Sequence, residues 1–196
     1  MAVILLSTPS GELVRHLRQH RYFHTLGDTR LKALAEEAAC YRFAPGEVIF
    51  LDGEPCAGLW IIHKGQVKVF KTSPDGHEHI LDLLGPDDSI NDVAGLDGGP
   101  NPASAAALSE VTACCLAHET LARAIQADPL LAMSLIQSLA ARNRFLVEQV
   151  EGLALYSVTT RVARFLLRQM DDPALATPAI NRTTIAAHLA IKPETL

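Results

Sequence analysis

The sequence predicts an α+β protein: an antiparallel β sandwich or barrel, then one long helix, then a helix-turn-helix reaching to the last residue. Three observations predict it. Residues 42–118 break short apolar runs with turn signals; residues 128–155 step their apolar positions by three and four; residues 181–196 set two short helical patterns around a tight turn. The 196 residues suffice for one ample domain or two small ones.

In chain order, Val3-Ile4-Leu5-Leu6 lacks a basic lead and is too short for a signal peptide or a membrane span. A cytoplasmic protein with no membrane association is therefore expected. Residues 1–21 read as an N-terminal segment. It carries His16, His20 and His24 at i, i+4 and i+8, one face if the segment is helical. Thr29 to Cys40 puts Leu31, Leu34, Ala35 and Ala38 on one side of a short amphipathic helix.

Residues 22–127 read as the β domain. Its apolar runs are Val48–Leu51, Leu59–Ile62, Val67–Phe70 and Ile80–Leu84, punctuated by Pro45-Gly46, Asp52-Gly53, Lys64-Gly65, Asp75-Gly76 and Gly85-Pro86. His77 and His79 are expected to share one face of a strand. The four cysteines show no C-x-x-C pairing and no zinc-finger histidine, so Cys40, Cys56, Cys114 and Cys115 are expected to be unlinked thiols. Adjacent Cys114 and Cys115 would point to opposite faces of a strand.

Residues 128–155 read as a dimerisation helix. Asp128 is an N-cap and Pro129 suits the first helical position. Ile136, Leu139, Asn143, Leu146, Val150 and Leu153 form the a/d seam of a coiled coil, with Asn143 as a polar residue that fixes register. A helix of this length, roughly 40 Å, exceeds what packing in a small domain needs. A homodimer is expected.

Residues 156–196 read as an incomplete helix-turn-helix domain. Ser157 caps a helix whose Val162, Phe165 and Leu166 face inward and whose Arg161, Arg164 and Arg168 face outward. After Asp171-Asp172-Pro173, the motif begins near Asn181, with Ile185, Ala186 and Leu189 as the apolar face of its first helix. Pro193 opens the second, whose leading residues reach base edges in such motifs. Arg182, Thr183, Thr184, Lys192, Pro193, Glu194 and Thr195 are the candidate DNA contacts. Charge agrees with this placement. Residues 1–155 carry 12 basic against 19 acidic side chains, whereas residues 156–196 carry 5 against 3. Only the tail has the sign that phosphates attract.

The chain resembles the CRP/FNR superfamily of bacterial transcription regulators from about Tyr22 onward. The matching stretches are Phe43-x-Pro-Gly-Glu-x-Ile-Phe-x-x-Gly-Glu54, Leu59-Trp-Ile-Ile-x-x-Gly-x-Val-Lys-Val-Phe70, Asp75-Gly-x-Glu-x-Ile-Leu81 and Ile191-Lys-Pro-Glu-Thr-Leu196. The last two look most like the Dnr branch, the regulators of dissimilative nitrate respiration. The resemblance implies a jelly-roll-like, cyclic-nucleotide-binding-like β-roll sensor, a dimer helix and a winged helix-turn-helix. It also implies a palindromic double-stranded operator as partner and RNA polymerase if the protein activates. Glu194 resembles the family's base-reading glutamate, able to accept from cytosine N4.

The implied effector pocket falls on Ile90, Asn91, Asp92, Ala103 and Ser104. Asp92 can stand in for the family's ribose-binding glutamate, but no arginine replaces the phosphate-binding one. Between Thr72 and Ala122 there are nine carboxylates and no Lys or Arg, which argues against a cyclic nucleotide. No cysteine precedes Cys40, which argues against an iron–sulfur cluster. Neutral imidazoles suit haem iron, and the Dnr resemblance implies nitric oxide sensing through haem, with His16, His20 and His24 as candidate ligands. G-x-S-x-G, P-loop and H-E-x-x-H motifs are absent, so an enzyme is not expected. The alternative to a DNA-binding regulator is a β-roll dimer that binds a small molecule and regulates a partner protein.

Overall fold

A computed structural model describes residues 4–6, 10–171 and 180–191. Among these residues, nine strands form two antiparallel sheets: β1 (Ile4–Leu6), β2 (Ala39–Phe43), β3 (Val48–Phe50), β4 (Leu59–Lys64), β5 (Val67–Thr72), β6 (Glu78–Leu84), β7 (Ser89–Ile90), β8 (Ser104–Ala107) and β9 (Val111–Leu116). One sheet runs β1-β2-β9-β4-β7 and the other β3-β8-β5-β6. The helices are α1 (Ser10–Gln19), α2 (Asp28–Glu37), α3 (Asp92–Asp97), α4 (His118–Ala127), α5 (Pro129–Leu155), α6 (Val158–Asp171) and α7 (Arg182–His188).

Strand alternation divides the apolar side chains among three cores. Trp60, Ile62, Val67, Leu84, Ala105, Val111 and Cys115 fill the space between the sheets. Leu59, Ile61 and Cys114 point the other way, where helices bring Leu17, Leu31, Leu121 and Leu131 onto them. The third core lies on the outer face of the second sheet, where Phe70, Ile80 and Leu83 meet Phe165, Ile180 and Leu189. Because the first sheet is covered on both sides, Leu59–Ile62 is apolar throughout rather than alternating. The tight β4–β5 connection needs Gly65, whose φ is +89°, because a Cβ there would sit 2.2 Å from the Glu110 carbonyl oxygen.

Several expectations are corrected. The N-terminal segment is not separate from the β domain: β1 pairs with β2, and α1 buries Leu13 and Leu17 in the first core. His77 lies in the turn before β6, so it shares no strand face with His79. Cys40 and Cys114 are not free thiols but a disulfide, because the β2–β9 register sets them directly opposite one another. Cys56 and Cys115 are free. As expected, Cys114 and Cys115 serve opposite faces of β9.

The long helix forms as read, with the Asp128 carboxylate accepting from Leu130 N at 2.9 Å and Pro129 at its first position. Among the described residues, no helix is long and apolar enough to cross a membrane. Ser157 caps α6 by accepting from Thr160 N at 3.2 Å. Phe165 is buried and Val162 packs beside it, but Leu166 is exposed rather than inward, since the third core ends at Phe165.

Candidate functional site: a cavity between the roll, the long helix and the C-terminal helix

A cavity of about 550 Å³ opens where the second sheet, α3 and α5 meet. Its wall is mostly apolar: Phe50, Val69, Ile80, Leu84 and Ile90 from the roll, with Leu139, Leu146, Val150 and Leu153 from α5. Four of the six seam residues therefore line this cavity. Ile136 and Val150 are 57% and 65% exposed in the single chain, and Asn143 is exposed as well.

Four of the five expected pocket residues, Ile90, Asn91, Asp92 and Ala103, lie on the wall. Ser104 does not. It sits in β8, where its hydroxyl accepts from Asp52 N at 3.0 Å. Asn91 adopts the left-handed conformation (φ +68°) as the residue before α3, which asparagine tolerates. Its amide donates to Asn101 Oδ1 at 2.7 Å. Asn91 Oδ1 and Asp92 Oδ1 are buried and without partners. The Asp92 carboxylate adds negative charge at this end of the wall, which disfavours a ligand presenting phosphate oxygens.

The sequence reading missed the cation of this site. It comes not from the roll but from α5, where Arg142 lines the wall and donates to the nearly buried carboxylate of Asp82. The guanidinium also lies over the Phe145 ring, 5.1 Å from its centroid. A local scan of residues 72–122 could not find it, because α5 returns to the roll about sixty residues after Asp82. Arg142 is already matched to a carboxylate, so the wall presents little positive charge to an anion.

Two imidazoles complete the cavity. His79 Nδ1 donates to the Ala187 carbonyl at 3.0 Å, which leaves its Nε2 lone pair uncommitted by that bond. His188 contributes from the C-terminal end of α7, with Nδ1 buried and unpartnered. Burial lowers its pKa from the ordinary value, so it is neutral at pH 7.

The three expected haem histidines do not converge. His16 is the last of them inside α1; the chain turns after Gln19, so His20 is fully buried and His24 is exposed. Burial, followed by the nearby Arg21 charge, lowers the His20 pKa to about 4. None of the three lines the cavity.

For the C-terminal element, Asn181 caps α7 by accepting from Thr184 N at 3.0 Å. Arg182 and Thr183 are exposed on its first turn. Thr184 is corrected as a DNA contact: it is buried, and its hydroxyl is spent on Asn181 Oδ1 at 3.2 Å. Lys192, Pro193, Glu194 and Thr195 lie outside the described residues. Ala190 makes the turn at φ +52°, with Ile191 N donating to Ala186 O at 3.0 Å. The arginines of α6 are not a free solvated face. Arg161 donates to Leu189 O at 2.8 Å, Arg164 lies over the Tyr156 ring and Arg168 over Phe145.

Comparison with known proteins agrees with this architecture. Residues 41–128 match the cyclic nucleotide-binding domain family. A CRP-like cAMP-activated global transcriptional regulator of Mycobacterium tuberculosis is 32% identical over 146 residues, covering 74% of this chain and 65% of the relative. The chain thus spans slightly less than two thirds of that protein. The N-terminal domain of a transcriptional regulator from Streptomyces coelicolor is 32% identical, with 67% of this chain and 94% of that one covered and a TM-score of 0.56. The sensor domain of the transcriptional regulator DNR from Pseudomonas aeruginosa superposes with a TM-score of 0.64, covering 74% of this chain and 98% of that one. At 22% identity it shows the fold alone.

Proposed function

We propose that the chain is a regulator of the CRP/FNR type: an effector-responsive, DNA-binding transcription regulator that works as a homodimer. The observation that carries the proposal is the shared wall of the cavity. Roll, long helix and the first helix of the C-terminal motif all contribute to it, the last through His188. A ligand that fits only one arrangement of these three elements shifts their equilibrium by its differential affinity. The exposed apolar residues of α5 supply the dimer contact, and two reading heads about one helical turn apart suit a palindromic operator. The side chains presented to DNA are Arg182 and Thr183 here, with Lys192, Pro193, Glu194 and Thr195 following.

The effector of this reading is an apolar or iron-bearing group rather than a cyclic nucleotide. The named relative is cAMP-activated, but here the wall holds Pro102 and Ala103, the Asp92 carboxylate and a cation already paired. An iron porphyrin suits the residues present: a long apolar wall and two imidazoles, of which His79 keeps its Nε2 clear of the bond to Ala187. His79 and His188 would hold it, in place of His16, His20 and His24. Bound haem would supply a site for nitric oxide, in line with a Dnr-like sensor.

Haemin titration and calorimetry with cyclic AMP and cyclic GMP test the effector. A Soret band that weakens in His188→Ala, with no heat from either nucleotide, is expected. Micromolar nucleotide affinity overturns the effector reading. Operator binding by the dimer should weaken steeply with salt; binding indifferent to salt and sequence would refute the DNA reading.

A further inference from the structure

Beside the first sheet, three elements converge on a group of side chains that the proposed function does not use. Glu12 and His16 stand one turn apart on α1 and so share a face. His63 projects from β4 to meet them, its ring 3.8 Å from that of His16, centroid to centroid, and nearly perpendicular to it. Glu12 Oε1 lies 3.2 Å from His63 Nε2. One ligand atom from each of Glu12, His16 and His63 falls within 4.8 Å of the others.

We propose that Glu12, His16 and His63 bind a divalent transition-metal ion of the zinc class, with Asp87 orienting His16. Two imidazoles and one carboxylate are the donor set such an ion takes when a fourth position is left to water or an added ligand. Glu12 is the half-exposed member, the one with most room to close toward the roughly 2 Å that zinc requires. The imidazoles are about three quarters covered, which fixes their rings before the ion arrives.

Asp87 is an independent sign of a built site. It accepts from His16 Nδ1 at 3.2 Å, which sets the tautomer and leaves the Nε2 lone pair for the metal. It does so from the left-handed region (φ +67°), which aspartate enters more readily than most residues, held by Asp87 N donating to Ile62 O at 2.9 Å. The turn that holds Asp87 is locked to β4 at the residue next to His63. The occupied site would clamp α1, β4 and this turn together. Three residues on, Ile90 enters the effector cavity.

The test is Zn²⁺ titration of tag-free, metal-free protein by calorimetry, with Co²⁺ as a spectroscopic probe. One Zn²⁺ per chain is expected, lost in His63→Gln and in His16→Gln, with Co²⁺ giving visible d–d bands that vanish in the same variants. Asp87→Asn should weaken Zn²⁺ binding about 10- to 100-fold without disturbing the fold, because asparagine also tolerates the left-handed region. Should either histidine variant fail to fold, Asp87→Asn decides alone. Zn²⁺ binding that is absent, or unchanged in Asp87→Asn and His63→Gln, overturns the assignment and leaves any residual affinity to the other histidines.

Discussion

Arg142→Met removes the cation that joins the long helix to the roll while keeping most of the side chain's bulk. The Asp82 carboxylate left behind is 9% exposed and retains only the Leu83 backbone N–H, at 3.0 Å, among its described donors. Breaking a fully buried pair costs about 3–5 kcal/mol, because one charge stays behind without its partner. Arg142 is 34% exposed, so water already screens part of the attraction. The expected loss is therefore about 2–3 kcal/mol. Replacing both partners, Arg142→Met with Asp82→Asn, removes the stranded charge and should recover all but about 1 kcal/mol. Urea unfolding at pH 7, with slopes compared as well as midpoints, measures the two singles, Arg142→Met and Asp82→Asn, and the double variant. A single variant that costs under about 0.5 kcal/mol, or a double variant as unstable as the sum of the singles, would refute the claim that this pair couples helix to roll.

Two further outcomes follow from buried groups described above. His20 titrates near 6.5 when unfolded but near 4 when folded, so on acidification the unfolded chain takes up the proton first. Stability should fall as pH drops through 6.5 and level off below about 4, a loss of about 3 kcal/mol at roughly 1.4 kcal/mol per pH unit. His20→Leu should flatten the fall measured by urea midpoints, and parallel curves for the two proteins would count against it. In Gly65→Ala, the Cβ meets the Glu110 carbonyl and the backbone sits at positive φ; a loss of about 2–4 kcal/mol is expected by thermal unfolding, and an unchanged midpoint would refute the contact.

The β domain was legible because its information is local. Turn pairs such as Lys64-Gly65 and Asp75-Gly76 mark the places where the backbone reverses, and the apolar runs between them became β4, β5 and β6. The cap at Asp128 and the proline after it were equally readable. What escaped depends on register or on chain return. Cys40 and Cys114 face one another only because β2 and β9 pair at one register among several, which spacing does not reveal. Arg142 enters the cavity from an element predicted to face a second chain, so the charge count over residues 72–122 was accurate and still incomplete. The histidine triplet failed for a simpler reason: its helical period lasts only to Gln19. The signal that could have flagged His63 was its place at the end of an apolar strand, opposite a helix bearing Glu12 and His16.

The docking of the C-terminal motif onto the outer sheet limits how this architecture can be rearranged in evolution. Ile180 and Leu189 are buried against Phe70, Ile80, Leu83 and Phe165, so the C-terminal segment is held to the sheet by the same apolar side chains that stabilise both. Swapping in a head from a distant cousin would expose that patch unless the newcomer carried matching side chains at equivalent places. Under the proposed DNA-reading role, changes in target preference should accumulate on the solvent-facing first turn, at Arg182 and Thr183, while the underside drifts only in step with the sheet beneath it.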